Sequence, residues 1–196
     1  MVVKCLLMMQ SKDNDEARVP EGLRIRKAEA SDAEPIQNLY RHAFPREEGE
    51  GVAVLACELL QEGGGVVSLV AVLGDSVIGH VAFSPVTFDA DDASVGSILA
   101  PLAVACEHRN AGVGTSLVEA GIRRVTESGA SLVFVYGDPK YYSRFGFRTE
   151  LAEGFVPPCE LQYPFGWQAM TVGQGLSEDL RGRISCVAPL CRPELW

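Results

Sequence analysis

The segment spanning residues 95–127 restricts the fold most, because an apolar run, a turn with two glycines and an amphipathic pattern follow one another directly. The run VGSILAPLAV is nearly continuous in apolar residues, as expected of a strand buried on both faces. After the turn, Val113, Leu117 and Val125 lie on one stripe at helical spacing. The segment therefore predicts a buried strand, a tight turn and an amphipathic helix.

The rest of the chain predicts a mixed sheet with flanking helices. Ser31 and Glu34 have the spacing of a capping box, and Gly-Asp at 74–75 is typical of a hairpin turn. Asp138 and Pro139 suit the first positions of a short helix. The predicted elements are strands at 23–28, 66–73, 77–88, 95–104 and 131–136, helices over 33–44, 52–60, 113–128 and 139–146, and later strands in QAMTV and RISCVAPL. The order β-α-α-β-β-β-α-β-α indicates an α/β fold with a mixed, mostly antiparallel sheet.

Length and composition indicate one globular domain. A chain of 196 residues with 47% hydrophobic residues suits a single core. Residues 1–21 end in a polar, proline-containing stretch, which predicts a flexible N-terminal extension before a single domain at 22–196.

Charge and cysteine pattern exclude several classes of function. A net charge of -9 argues against a nucleic-acid surface, and no stretch approaches the ~20 apolar residues of a membrane span. The six cysteines form no C-x-x-C pair and the three histidines are scattered, so no metal site is expected. Without a secretion signal, the sequence predicts a cytoplasmic protein with reduced thiols, and it leaves monomer and homodimer open.

The glycine turn departs from the two common nucleotide-binding patterns. No lysine precedes Thr115 and Ser116 as a P-loop requires, and Leu117 stands where a Rossmann fingerprint has its third glycine. A pyrophosphate held by backbone remains, with the N–H groups of residues 110–115 converging at a helix N-terminus. Glycine at 112 and 114 leaves room for this approach, and Arg109 is placed to reach a phosphate oxygen.

The motif Arg109-Asn110-Ala111-Gly112-Val113-Gly114 resembles the R/Q-x-x-G-x-G/A acyl-CoA loop of the GNAT N-acetyltransferases. The later segment YYSRFGF resembles the Y-x-x-x-G-F segment of the same family. The resemblance covers roughly residues 23–172 and extends to the YhbS-like branch, through the strands GHVAFSPV and PLAV. At the second motif position, Asn110 stands where the family often has glycine.

This resemblance implies an enzyme that moves acetyl from acetyl-CoA to a primary amine by direct attack in a ternary complex. Acetyl-CoA would lie where the strand at 95–104 separates from the strand at 131–136, with the pyrophosphate on residues 109–115. Exposed backbone groups of Leu102, Ala103 and Val104 would pair with the pantetheine arm, and the Leu102 N–H would polarise the thioester carbonyl. Tyr142 would protonate the leaving thiolate. A non-catalytic acyl-CoA-binding sensor or partner module is the alternative, and a nucleotide-phosphate-binding domain is a third.

Several candidate residues also have a simpler structural interpretation. Tyr142 could be a core aromatic residue, and His80 is better explained as a hydrogen-bonded structural histidine than as a base. Cys106 has no base near it in sequence, so an acyl-cysteine is not expected. Other residues are expected to form a solvated acidic loop (Glu47, Glu48 and Glu50), an acidic hairpin tip (Asp89, Asp91 and Asp92) or core packing (Phe145, Phe147 and Phe165).

Overall fold

The structure, a computed structural model, describes residues 19–89, 91–173 and 180–196, with the backbone alone at 91–95. The predicted N-terminal extension lies outside the described residues except for 19–21. Among the described residues, none of the helices combines the length and the apolar character that a membrane crossing requires.

The helices and strands follow the predicted order. The first half contains β1 (Arg24–Lys27), α1 (Ala33–Ala43), α2 (Arg46–Glu62), β2 (Val67–Leu73), β3 (Ser76–Phe88) and β4 (Asp91–Val104). The second half contains α3 (Val113–Glu127), β5 (Leu132–Tyr136), α4 (Pro139–Tyr142), α5 (Thr149–Ala152), β6 (Phe155–Val156), β7 (Trp167–Thr171) and β8 (Gly182–Cys186).

The strands form a mixed sheet in the hydrogen-bonded order β1-β2-β3-β4-β5-β7, with β8 pairing to both β3 and β6. The ladders β1–β2, β2–β3, β3–β8 and β5–β7 are antiparallel. The ladders β4–β5 and β6–β8 are parallel. This arrangement confirms the mixed, mostly antiparallel sheet with flanking helices that the sequence predicts.

The chain divides into two compact units. The N-terminal unit comprises the described part of residues 10–83 together with 101–121. Its helix α1 buries Ile36, Leu39 and Tyr40, as the helical spacing predicts. In α3, a methyl group at Gly121 would overlap the ring of Phe83, so a glycine there allows the helix to pack closely on β3.

The C-terminal unit comprises residues 84–100 and the described part of 122–196. Its core is a cluster of aromatic rings in which Phe134 stacks on Trp167 at 5.1 Å and meets Phe155 edge-on at 5.2 Å. Phe147 is buried as expected, but Phe165 is 54% exposed, so its assignment to the core is wrong. Phe165 lies in the 3-10 turn Pro164–Gly166, which carries its side chain outward before β7.

The capping box ahead of α1 lies two residues earlier than predicted. The carboxylate of Asp32 accepts the N–H of Glu29 at 2.8 Å and both terminal nitrogens of Arg26 at 2.6 and 2.8 Å. Ser31 instead lies inside the 3-10 turn Ala30–Asp32, and α1 begins at Ala33. The hydrogen bond from Arg26 lowers the pKa of Asp32, which keeps this cap charged.

Two elements begin earlier than their apolar patterns predict. Helix α2 begins at Arg46 rather than at residue 52, so Glu47 and Glu48 form its first turn and are not loop residues. Acidic side chains stabilise a helix N-terminus, whereas two glycines at 49 and 51 conceal the helix in the sequence. Strand β4 begins at Asp91 because it continues beside β3, and a backbone ladder does not depend on apolar side chains.

Candidate functional site

The glycine turn links β4 to α3 within the N-terminal unit. The N–H of Ala105 donates to the carbonyl of Ile78 at 2.9 Å, which fixes the exit from the strand. A 3-10 turn at Cys106–His108 follows, and residues 109–112 form the turn that leads into α3 at Val113. The motif thus joins a strand to a helix of 15 residues, as the sequence predicts.

The backbone of this turn presents a run of unused donors. Within the described chain, none of the N–H groups of residues 110–115 makes a well-aligned hydrogen bond to a protein acceptor. The neighbours on each side are paired: Arg109 N–H donates to Cys106 O at 3.4 Å and Ser116 N–H to Gly112 O at 2.9 Å. Six successive donors at a helix N-terminus can hold an anion.

Two residues of the turn adopt left-handed backbone conformations. Asn110 has φ +58° and is the single non-glycine residue with positive φ in the described ranges, and Gly112 has φ +73°. Asparagine tolerates this region better than most residues, so the departure from glycine at position 110 leaves the turn intact. A regular helix points successive N–H groups in one direction, and a regular strand points them to alternate sides. The left-handed residues change the direction of the N–H groups in this turn.

Arg109 binds the end of a helix. Its Nη2 donates to the carbonyl of Ala43 at 2.6 Å, at the C-terminus of α1. Its Nε is buried and, within the ranges that the structure describes, has no hydrogen-bond partner. The sequence predicted a phosphate contact for this side chain and gave no indication of Ala43, because the two residues lie 66 positions apart.

The strand residues expected along the pantetheine arm are less accessible than predicted. The parallel ladder pairs Gly96–Leu99 with Leu132–Val135, so Leu102, Ala103 and Val104 lie beyond its last pair. These three residues are nearly inaccessible, with Leu102 only 1% exposed. The expectation that their backbone groups are exposed is therefore wrong, because these residues belong to the buried core.

Tyr142 lies in the C-terminal unit at the end of α4. Asp138 caps this helix by accepting the Lys140 N–H at 2.9 Å, with Pro139 in the first turn, as predicted. The ring of Tyr142 is 1% exposed and packs edge-on against Phe147 at 5.8 Å. Its hydroxyl is buried and finds no partner in the described part of the chain.

The environment of Tyr142 favours a neutral, proton-bearing hydroxyl. Burial raises its pKa well above the ordinary value, and the neighbouring Tyr141 and Asp138 add to this shift. A buried tyrosine usually has a satisfied hydroxyl, so the unpartnered hydroxyl of Tyr142 is not explained by ordinary packing. Tyr141 stands edge-on to it at 5.0 Å, and Arg144 lies 4.9 Å over the Tyr141 ring.

His80 is a structural residue, as predicted. Its Nδ1 is 2.8 Å from the Tyr40 hydroxyl and its Nε2 is 2.9 Å from the Ser68 hydroxyl. The ring is fully buried, and burial lowers its pKa to about 3. A neutral imidazole with both nitrogens occupied is not available as a base. Sequence spacing gave no indication of Tyr40 or Ser68, since the three residues meet only through the fold.

The other candidate groups contribute little to the site. Cys106 is exposed, and its Sγ lies 3.6 Å from the His42 carbonyl rather than beside a base. Glu50 pairs with Arg41 at 2.7 Å on the surface. Across the described residues, no three His, Cys, Asp or Glu side chains come together as a metal site, and the five described cysteines are free thiols.

The fold and the turn are those of a GNAT acetyltransferase. The family model for the acetyltransferase (GNAT) domain matches residues 24–149, so the chain belongs to this family. It is 41% identical over 118 residues to YhbS, an uncharacterised N-acetyltransferase of Escherichia coli K12, over 59% of this chain and 68% of YhbS. It is 32% identical over 166 residues to YjhQ of the same strain, also an uncharacterised N-acetyltransferase, over 81% of this chain and 89% of YjhQ.

Solved structures of the family share the fold. A structure of E. coli YhbS in complex with CoA superimposes with a TM-score of 0.76 at 29% identity, over 93% of this chain and 97% of that one. A GNAT acetyltransferase of Brucella melitensis in complex with acetyl-CoA superimposes with a TM-score of 0.63 at 26% identity. The match covers 85% of this chain and 97% of that one. The predicted resemblance to the GNAT family and its YhbS-like branch is therefore confirmed.

Proposed function

We propose that this acetyltransferase binds acetyl-CoA on the glycine turn and transfers the acetyl group to a primary amine by direct attack in a ternary complex. The observation that carries the proposal is the run of six unused N–H groups at residues 110–115. Two relatives whose structures superimpose on this chain were solved with CoA and with acetyl-CoA, which supports the same ligand here.

The turn fits a pyrophosphate in shape and charge. The left-handed Asn110 and Gly112 turn adjacent N–H groups toward one side, and α3 adds about half a positive charge at its N-terminus. Ala111, Val113, Gly114 and Thr115 contribute through their backbone N–H groups. A direct phosphate contact of Arg109 is not part of this proposal, because its Nη2 already donates to Ala43.

Strand β4 supplies the second part of the proposed site. We propose that backbone groups of Leu102, Ala103 and Val104 pair with the pantetheine arm like an added strand. They lie past the end of the β4–β5 ladder, where β5 leaves them unpaired in the register. The Leu102 N–H would donate to the thioester carbonyl oxygen, where negative charge develops during transfer. Because these residues are buried, pairing with the arm requires a local rearrangement around the strand.

The chemistry requires proton movements at two places. Acetyl-CoA supplies the thioester, whose C–S bond breaks as the amine nitrogen forms a C–N bond to the acyl carbon. Tyr142 donates its hydroxyl proton to the leaving sulfur, and its raised pKa keeps it protonated at neutral pH. An amine with a pKa near ~10 must lose a proton to a base or a chain of water molecules before it attacks. The second proton, which the nitrogen loses as the amide forms, replaces the one that Tyr142 donates. His80 does not take the first proton, because both ring nitrogens are occupied and its pKa is about 3.

We further propose that residues 22–196 act as one acetyltransferase domain in the cytoplasm. The family match begins at residue 24 and ends at residue 149, and therefore includes parts of both units. The free state of the five described cysteines suits a reducing compartment.

A screen of chemically diverse primary amines tests the activity, with release of free CoA thiol as the readout. Acetyl-CoA hydrolysis without amine is the blank for each reaction. We expect at least one class of amine to raise thiol release well above the blank. If acetyl-CoA binds but no amine in a broad panel is acetylated, the chain is a binding module and the proposed activity is wrong.

A further inference from the structure

Arg109 and Cys106 both contact the C-terminal end of α1. Arg109 Nη2 donates to Ala43 O at 2.6 Å, and Cys106 Sγ lies 3.6 Å from His42 O. The last carbonyls of a helix have no donors within the helix and carry its partial negative charge. A guanidinium is therefore well suited to cap this end, and the contact joins the segment before the glycine turn to α1.

We propose that Arg109 is a positioning residue, which holds the 110–115 turn in its ligand-binding conformation by tying it to α1. This inference rests on the proposed function and deepens it. It assigns Arg109, the first residue of the motif, a contact with the protein instead of a contact with the phosphate. The guanidinium lies partly inside the protein, with Nε buried, and not directed into solvent beside the turn.

The turn needs such a support. Asn110, the residue that follows Arg109, has φ +58°. Even for asparagine a left-handed conformation is less favourable than a right-handed one, so it persists best where its surroundings enforce it. None of the N–H groups from 110 to 115 bonds well to described protein groups, so they do not hold the turn themselves. Beside the backbone bonds of Arg109 and Ser116, the hydrogen bond from Arg109 to Ala43 is the side-chain contact next to Asn110 that ties the turn to another element.

The anchor on α1 is itself fixed. Tyr40, one turn before Ala43, is bound through its hydroxyl to buried His80, and its ring meets the imidazole edge-on at 5.5 Å. On the other side, α2 packs so closely that a Cβ on Gly49 would lie 3.2 Å from the Arg41 Cα. A helix end held by both contacts can transmit its position to the turn through one side chain.

The test compares Arg109→Gln with Arg41→Gln, which removes a surface arginine of α1 bound to Glu50 and not to the turn. Acetyl-CoA affinity is measured by calorimetry at about 0.05 and 0.5 M salt, between which Coulomb contacts to phosphate are strongly screened. We expect Arg109→Gln to weaken binding about tenfold at both salt concentrations, the size of one lost charge-assisted hydrogen bond. We expect Arg41→Gln to bind acetyl-CoA as tightly as the wild type at both salt concentrations.

Amide hydrogen exchange of the ligand-free protein provides the second readout. The backbone N–H groups of residues 108 and 109 are hydrogen-bonded in the wild type. Arg109→Gln should speed their hydrogen exchange, because the turn loses its support. Arg109→Lys keeps one donor for the same carbonyl, and should restore slow exchange and most of the affinity together. It also serves as the test variant if Arg109→Gln does not fold.

Unchanged affinity in Arg109→Gln overturns the inference, and so does a loss confined to low salt with unchanged exchange, which indicates direct phosphate contact. Affinity restored by lysine without slow exchange also overturns it. If the wild type does not bind acetyl-CoA, the proposed function fails, whereas exchange in the ligand-free variants still decides whether Arg109 supports the turn.

Discussion

At the scale of single residues, the sequence identified the residues that act through their backbone conformation. The glycine motif was predicted to form a tight turn, and its residues Asn110 and Gly112 have positive φ. Roles that depend on a distant partner were not predictable in this way. The Ala43 carbonyl carries no sequence signal, because a backbone acceptor is present at every position and only the fold selects one.

Tyr142→Phe should lower kcat about 100-fold while leaving acetyl-CoA affinity nearly unchanged, because general acid catalysis contributes ~100- to 10,000-fold and a thiolate is a fair leaving group. The Tyr142 hydroxyl has no partner in the described chain, so its removal should not lower the melting temperature. Steady-state kinetics under conditions where chemistry limits turnover, together with thermal unfolding, measure both effects.

Tyr141→Phe is the matched control for this substitution. Burial raises the pKa of Tyr141 to about 12, and its ring packs beside that of Tyr142, but it is the less buried of the two. Tyr141→Phe should lower kcat much less than Tyr142→Phe does. Full kcat in Tyr142→Phe contradicts the acid role, and a crippled Tyr141→Phe would mean that the donor is the preceding residue.

At the scale of elements, the order of strands and helices was predictable, whereas several boundaries were not. The apolar stripe of α3 and the Gly-Asp turn of the β2–β3 hairpin predicted those elements correctly. The starts of α2 and β4 were not predicted, because glycines and aspartates interrupt the apolar pattern there. Tertiary contacts stabilise these segments all the same. The elements β6 and α5, with 2 and 4 residues, are too short for any periodic pattern.

The buried network that joins α1 to β2 and β3 predicts sensitivity to acid. His80 has a pKa of about 3 in the folded protein, against an ordinary value of 6.5, because burial disfavours the charged ring. The unfolded chain therefore binds the proton first, so stability is lost as pH falls from 6.5 toward 3. From pH 6.5 to 5 this residue should reduce the free energy of unfolding by about 2 kcal/mol.

Urea unfolding of wild type and His80→Gln at pH 7.5, 6 and 5 measures this dependence. Whatever its stability at pH 7.5, His80→Gln should show a clearly shallower decline, because an amide does not protonate in this range. His42→Gln removes an exposed histidine of α1 and serves as the surface control. Equal declines in wild type and His80→Gln would contradict the buried, neutral state of His80.

At the scale of the whole molecule, the family and the class of reaction were predictable from two correctly ordered motifs. The match to the GNAT domain over residues 24–149 includes both of them. Tyr142 and the glycine turn belong to different units, and the described contacts of each lie within its own unit. The acceptor was not predictable, because binding pockets for acceptors are built from side chains and loops that the fold does not dictate.

Thermal unfolding with acetyl-CoA and with pantetheine, which lacks the pyrophosphate, tests the central claim most directly. A ligand that binds only the folded state at about 100 times its Kd adds about 2.7 kcal/mol, or roughly 5–10 °C for a chain of this size. We predict this shift with acetyl-CoA, a much smaller one with pantetheine, and its loss in Gly112→Val, where valine strains φ +73°. Equal shifts from both compounds, or a folded Gly112→Val with unchanged affinity, would contradict the account.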